Sequence, residues 1–375
     1  MVCKQVYNFS AGPAMLPQEV LKQVQEELLD YRGTGFSLMT ISHRSQIFLE
    51  VLHELRCDLT KLIDLPNDYT MLCLQSGASL QFFDVALNLS MTQHRRIGCV
   101  ISGNWSRLAY QQMKKMKYFE VFAVASSEDK QGRFLETPPQ KSWQLPKSLD
   151  FIHFASNETA HGVQFRTLPY SRDKDYPPLV CDMSSDIFSR PIQVNDYGVI
   201  YASAQKNIGG PGVTLLLIRD DLLHLVDPRV PDVLAYEAYW KKDGMYNTPN
   251  TFGIYVCDLV IKWLLKQGGI ATIAQHNQQK ADLLYHTIDH SGGFYCNNIK
   301  PDHRSLMNVV FHSPSAQLDK CFVQEAKANG LWFLEGYKSL GGMRASIYNA
   351  MSIQGVKALC AFMQDLSLIH ISEPT

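Results

Sequence analysis

Seven short apolar runs constrain this chain more than any other feature. They occupy residues 70–74, 97–101, 120–124, 151–154, 179–182, 198–202 and 213–218. Near-continuous apolar stretches of this length predict strands buried on both faces, as in a mostly parallel sheet covered by helices. The last two runs stand too close together for a full crossover helix, which predicts one antiparallel strand. The fold class is therefore α/β.

Around these runs the pattern changes to helical spacing. In 18–30, Val20, Leu21, Val24, Leu28 and Leu29 recur at helical intervals, and 47–62 is a second amphipathic stretch. The turn-rich segment 7–17 reads as an extended arm. A helix over 255–266 ends at Gly268-Gly269, where a domain boundary is expected. Beyond it, helix 270–290, strand 307–311, helix 317–328, strands 331–334 and 344–347, and helix 354–366 predict a compact α+β module. The expected organisation is an arm (1–17), a large domain (18–268), a small C-terminal domain (269–366) and a tail (367–375). The tail, SLIHISEPT, breaks the helical pattern and reads as disordered or foreign.

Composition excludes several partners. With 35 basic and 36 acidic side chains the net charge is −1, which draws the chain toward neither nucleic acid nor membrane. No apolar run approaches the roughly 18 residues of a membrane span, and the N-terminus has no secretory pattern. The nine cysteines are odd in number and form no C-x-x-C pair, so reduced thiols in the cytoplasm are expected, with no metal site. A small anionic substrate would need a local cationic site.

Several residues carry chemistry. Lys206 follows the 198–202 run in a loop (YASAQKNIGGPG) with three glycines. A loop lysine is ordinarily solvated, but here it stands where a flat ligand can approach, and lysine forms Schiff bases with aldehydes. Asp182 closes another apolar run; taken alone it suits a helix cap first, and otherwise an acid paired with a protonated pyridine nitrogen. Ser76-Gly77-Ala78-Ser79 joins a strand to a helix with small residues, a phosphate cradle or plain capping. The patterns of nucleotide folds, G-x-x-x-x-G-K-[ST] and G-x-G-x-x-G, are missing. Trp105 suits stacking on a planar group, and Thr159 suits donation to a ring oxygen. His43, Arg44 and Arg344 offer charge to carboxylate or phosphate. His286 and His290, four apart, read as a solvated helix face because the zincin Glu is absent.

In chain order, residues 7–17, Ser42-His43-Arg44, Asn157-Glu158-Thr159, Asp182-Met183-Ser184-Ser185, Gln205-Lys206-Asn207, Asn247-Thr248-Pro249 and 341–350 resemble the phosphoserine aminotransferases. These are a class V family dependent on pyridoxal 5'-phosphate. The resemblance implies the aspartate-aminotransferase-like fold, fold type I, with a seven-stranded sheet and a smaller C-terminal domain. It also implies transfer of an amino group from L-glutamate to 3-phosphohydroxypyruvate, giving O-phospho-L-serine and 2-oxoglutarate in serine biosynthesis. Formation of 4-phosphohydroxy-L-threonine in vitamin B6 synthesis is a further family activity.

By the same resemblance, Lys206 is the Schiff-base lysine and Asp182 holds the ring nitrogen. Trp105 stacks on the ring and Thr159 bonds its hydroxyl. Ala78, Ser79 and Gln205 bind the cofactor phosphate, with Asn247 and Thr248 reaching over from the second subunit of a homodimer. His43, Arg44 and Arg344 bind substrate anions.

Two positions depart from the family. Tyr337-Lys338 replaces a His-Arg pair that the resemblance places at the substrate's distal anion, from the other subunit. A looser hold on a dianionic phosphate is expected there. Ser76-Gly77-Ala78 replaces three glycines and keeps small side chains. A cysteine desulfurase of the same fold is disfavoured by Gln205 before Lys206 and by the lack of a cysteine in a late glycine-rich loop. A non-catalytic scaffold is disfavoured by the retention of Lys206 and Asp182.

Overall fold

The seven apolar runs form one sheet. The computed structural model describes residues 6–90, 93–168 and 176–372; Cys3 and the tail positions 373–375 lie outside the described residues. In chain order the strands are β1 (Tyr7–Asn8), β2 (Tyr69–Leu74), β3 (Arg96–Ile101), β4 (Glu120–Ser126), β5 (Phe151–Ala155), β6 (Asn157–Glu158) and β7 (Val163–Gln164). They continue as β8 (Leu179–Asp182), β9 (Val199–Ser203), β10 (Thr214–Arg219), β11 (Asn308–Phe311), β12 (Leu331–Trp332) and β13 (Met343–Ser346). The large sheet has the order β2-β10-β9-β8-β5-β3-β4. Strand β10 runs antiparallel to both neighbours, as expected, and the other pairings are parallel.

Side-chain alternation explains why these strands need cover on two sides. Met71, Cys73, Ile200 and Ala202 face one core together with helices Gln46–Ile63 and Thr251–Lys266. Leu72, Leu74, Val199 and Tyr201 face the other, with helices Ala78–Ser90 and Asn104–Lys115. Val180, Ile200 and Leu216 are fully buried, and each such side chain contributes about 1.5–3 kcal/mol.

A second core gathers Phe9, Phe311, Phe322, Ala345 and Ile347. Helix Thr251–Lys266 gives way to helix Gly269–Asp289 at Gly268, whose φ of +95° suits a residue without Cβ. Ile270 and Ile273 still pack on the large core. The extended N-terminal segment packs on the C-terminal module: β1 pairs in parallel with β12, and Phe9 is wholly buried in the second core. The final helix, expected to stop at 366, runs Ile353–Ser372. Within that stretch, 367–372 has no glycine or proline to break it, and Ser367 is buried.

Candidate active site

The carboxyl ends of the parallel strands converge on one cavity of about 320 Å³, the usual ligand position in open α/β sheets. Strand β2 turns through Gly77 into the helix starting at Ala78, and Gly77, Ala78 and Ser79 line the cavity. Thr214 steadies that turn, its hydroxyl donating to the Ser76 carbonyl at 2.9 Å. Small residues at a helix N-terminus form a cradle for a phosphate. Ser203 and Gln205, hydrogen-bonded to each other, form the adjoining wall.

Lys206 lies in the loop between β9 and β10, so the antiparallel pairing of these two strands also presents this side chain. Its Nζ donates to Thr159 Oγ1 at 2.9 Å and lies 5.8 Å from the Trp105 ring centre. Burial pushes its amine down to about 8, against the pull of Asp182 and with the help of the Arg344 charge. The N-terminal arm closes one side, with the Ala14 N–H donating to the Gln205 carbonyl at 2.8 Å. A Cβ on Gly12 would lie 3.6 Å from Cγ of both Gln205 and Lys206.

Asp182 is buried at the end of β8, and its Oδ1 accepts from the Ser184 N–H at 2.9 Å. No helix starts here, so this bond closes a local turn and is not a helix cap, and the side chain also lines the cavity. Burial raises its pKa. Arg344, from β13, reaches the same space: its Nη1 donates to the Thr159 carbonyl at 3.4 Å, while its buried Nε has no partner. Burial lowers its pKa. Glu158 is fully buried beside Thr159, and burial pushes its carboxyl up to about 7 against the Ser106 and Trp105 donors.

One chain thus brings together Ala78, Ser79, Trp105, Thr159, Asp182, Gln205, Lys206, Tyr337 and Arg344. Tyr337 was expected from the other subunit. It lines the cavity of its own chain, where Asn104 Nδ2 donates to its hydroxyl at 3.4 Å. The turn after β12 carries it there, because β12 and β13 belong to the module that overhangs the strand ends. Lys338 is not in the lining, and neither are His43, Arg44, Asn247 and Thr248. Arg44, Asn247 and Thr248 are exposed, and the Thr248 carbonyl accepts from the Gln75 side chain. Sequence reasoning passed over Ala11, Gly12, Ser203 and Glu158. Glu158 stands inside a quoted motif, but nothing local marks its burial. His286 and His290 are exposed with ring centres 3.9 Å apart, and no metal-binding cluster occurs among the described residues.

The donor set fits pyridoxal phosphate: an amine of depressed pKa for the aldehyde, a buried carboxyl for the ring nitrogen, an indole for the ring, and a small-residue helix start for the phosphate. Comparisons with known proteins agree. The family described as Aminotransferase class-V matches residues 6–359. The phosphoserine aminotransferase of Neisseria gonorrhoeae is 51% identical over 360 residues, covering 96% of this chain and 97% of the relative. A structure reporting radiation damage of the Schiff base in phosphoserine aminotransferase superposes with a TM-score of 0.94 at 41% identity, covering 98% of this chain and 100% of the other. The phosphoserine aminotransferase of Trichomonas vaginalis with bound PLP superposes at 0.91 with 34% identity, covering 96% and 100%. The chain belongs to the class-V aminotransferase family.

Proposed function

We propose that the protein is a pyridoxal-phosphate-dependent phosphoserine aminotransferase, moving the amino group of L-glutamate to 3-phosphohydroxypyruvate. The observation that carries this reading is Lys206, whose Nζ sits 2.9 Å from Thr159 Oγ1 in a cavity walled by Trp105, Asp182 and the Gly77–Ser79 turn. When bound, the cofactor supplies an aldehyde that captures amino groups and a ring that draws electrons from the substrate α-carbon.

The chain's own residues do the rest. Ala78, Ser79 and Gln205 hold the phosphate, and Thr159 orients the ring through its hydroxyl. Asp182 keeps a proton on the ring nitrogen; burial alone raises its carboxyl pKa, and the positive charge of the ring it faces would hold it ionised. Trp105 covers the ring and shuts out solvent. Lys206 Nζ takes the proton from the substrate α-carbon; an amine titrating at about 8 can accept and return a proton near neutral pH. Arg344, which lines this space from β13, binds the substrate carboxylate through charge-assisted bonds.

The working form is a homodimer with shared sites. Its support is the exposure of the large apolar side chains Leu29, Phe36 and Met39, together with the position of His43, Arg44, Asn247 and Thr248 outside the cavity of one chain. A second copy would cover that apolar surface and bring cations to the phosphate end of the substrate. No helix of the described residues is long and apolar enough to cross a membrane. The eight described cysteines are free thiols, which suits the reducing cytoplasm. A coupled assay with glutamate and 3-phosphohydroxypyruvate tests the function directly. Turnover dependent on both is expected, and turnover only with unphosphorylated 2-oxo acids contradicts the reading.

A further inference from the structure

Trp105 has no anchor of its own: its indole Nε1 is buried without a hydrogen-bond partner. Beyond its packing on the core and an edge contact with Tyr337 at 6.5 Å, its place is set by its backbone, at the first turn of helix Asn104–Lys115. That turn leaves N–H groups exposed, and Gly103 ahead of it has no side chain to accept them. Glu158 supplies the acceptors from another element. The Trp105 N–H donates to Oε2 at 2.8 Å, the Ser106 N–H to Oε1 at 2.9 Å, and the Ser106 hydroxyl to Oε1 at 2.6 Å. A Cβ on Gly103 would lie 2.4 Å from the Glu158 carboxyl carbon, so glycine is what lets the carboxylate close on the helix.

We infer that Glu158 is a positioning residue that clamps Trp105 in register with Lys206. The next residue, Thr159, holds Lys206 Nζ at 2.9 Å, so one short segment sets the indole and the amine together. Both carboxylate oxygens face donors, an arrangement that a carboxylate completes and an amide cannot. The inference rests on the reading of Trp105 as the cover of the cofactor ring.

The test is Glu158→Gln, which keeps the shape but turns an NH₂ toward an N–H. In the cofactor-free protein, Trp105 emission, isolated by difference from Trp105→Phe, should become more open to acrylamide quenching. The Kd for pyridoxal phosphate should rise roughly tenfold, the scale of one lost charge-assisted hydrogen bond. Wild-type quenching with an unchanged Kd overturns the inference. Where Glu158→Gln does not fold, Ser106→Ala decides: it removes the hydroxyl donor to Glu158, together with the acceptor of the Ser102 and Gly103 N–H groups, but leaves the Trp105 and Ser106 N–H donors to the carboxylate, and the same changes are expected in smaller degree. Unchanged quenching there also overturns the clamp. Trp105→Phe separates the two layers: if that change alone leaves the Kd unaltered, the reading of Trp105 fails and the clamp loses its purpose. If it raises the Kd while Glu158→Gln does not, only the clamp fails.

Discussion

In the cofactor-free protein Lys206 should titrate at about 8, against 10.5 for an ordinary lysine. Burial is the largest cause, Asp182 opposes it and Arg344 reinforces it. At a pH of about 7.5 the neutral fraction rises from about one in a thousand to about one in four. Capture of an aldehyde should therefore be up to about two-hundred-fold faster than at a solvated lysine, less the penalty of a weaker nucleophile. Two substitutions give opposite signs. Asp182→Asn removes the charge that holds the proton on, so the midpoint should fall. Arg344→Met removes the charge that drives it off, so the midpoint should rise. The assay is reductive alkylation with a small aldehyde and cyanoborohydride across the pH range, with the Lys206 peptide quantified by mass spectrometry. A midpoint near the solvated value, or both variants shifting the same way, refutes the electrostatic account.

Three further outcomes are expected. Asp182→Ala should retain some cofactor, seen by absorbance, yet lose most turnover; near-normal turnover would leave this side chain only its contact with Ser184. Lys206→Ala and Thr248→Asp should each be inactive as homodimers, whereas a verified heterodimer holds one site with neither defect and should recover activity; no recovery counts against Thr248 crossing the interface. Tyr337→His with Lys338→Arg should lower the KM for 3-phosphohydroxypyruvate roughly tenfold, more than that for glutamate, because a charged donor contributes about 1.5–3 kcal/mol to a phosphate contact. An unchanged KM for the phosphorylated substrate removes the pair from the phosphate site.

The strands of the large sheet were legible because burial on both faces writes a continuous apolar signal, and β10 because a short connection forbids a crossover. Lys206, Asp182 and Thr159 were legible because strand ends and glycine-rich turns mark themselves locally. The arm was not: β1 and β12 pair over only two residues each, across most of the chain, and nothing in Tyr7-Asn8 names its partner. Glu158 was hidden for a related reason. Its donors lie about fifty positions earlier, on a helix whose own start shows only an uncapping glycine. That Tyr337 lines the cavity of its own chain is not written in the turn's sequence, because the turn's placement depends on how the C-terminal module packs.

The central claim is that Lys206 holds the cofactor. Borohydride reduction of the protein purified with pyridoxal phosphate, followed by peptide mapping, tests it most directly. The account predicts a single pyridoxyl label on the peptide containing Gln205-Lys206-Asn207, absent from Lys206→Ala. Label on any other lysine, or label persisting in Lys206→Ala, would contradict it.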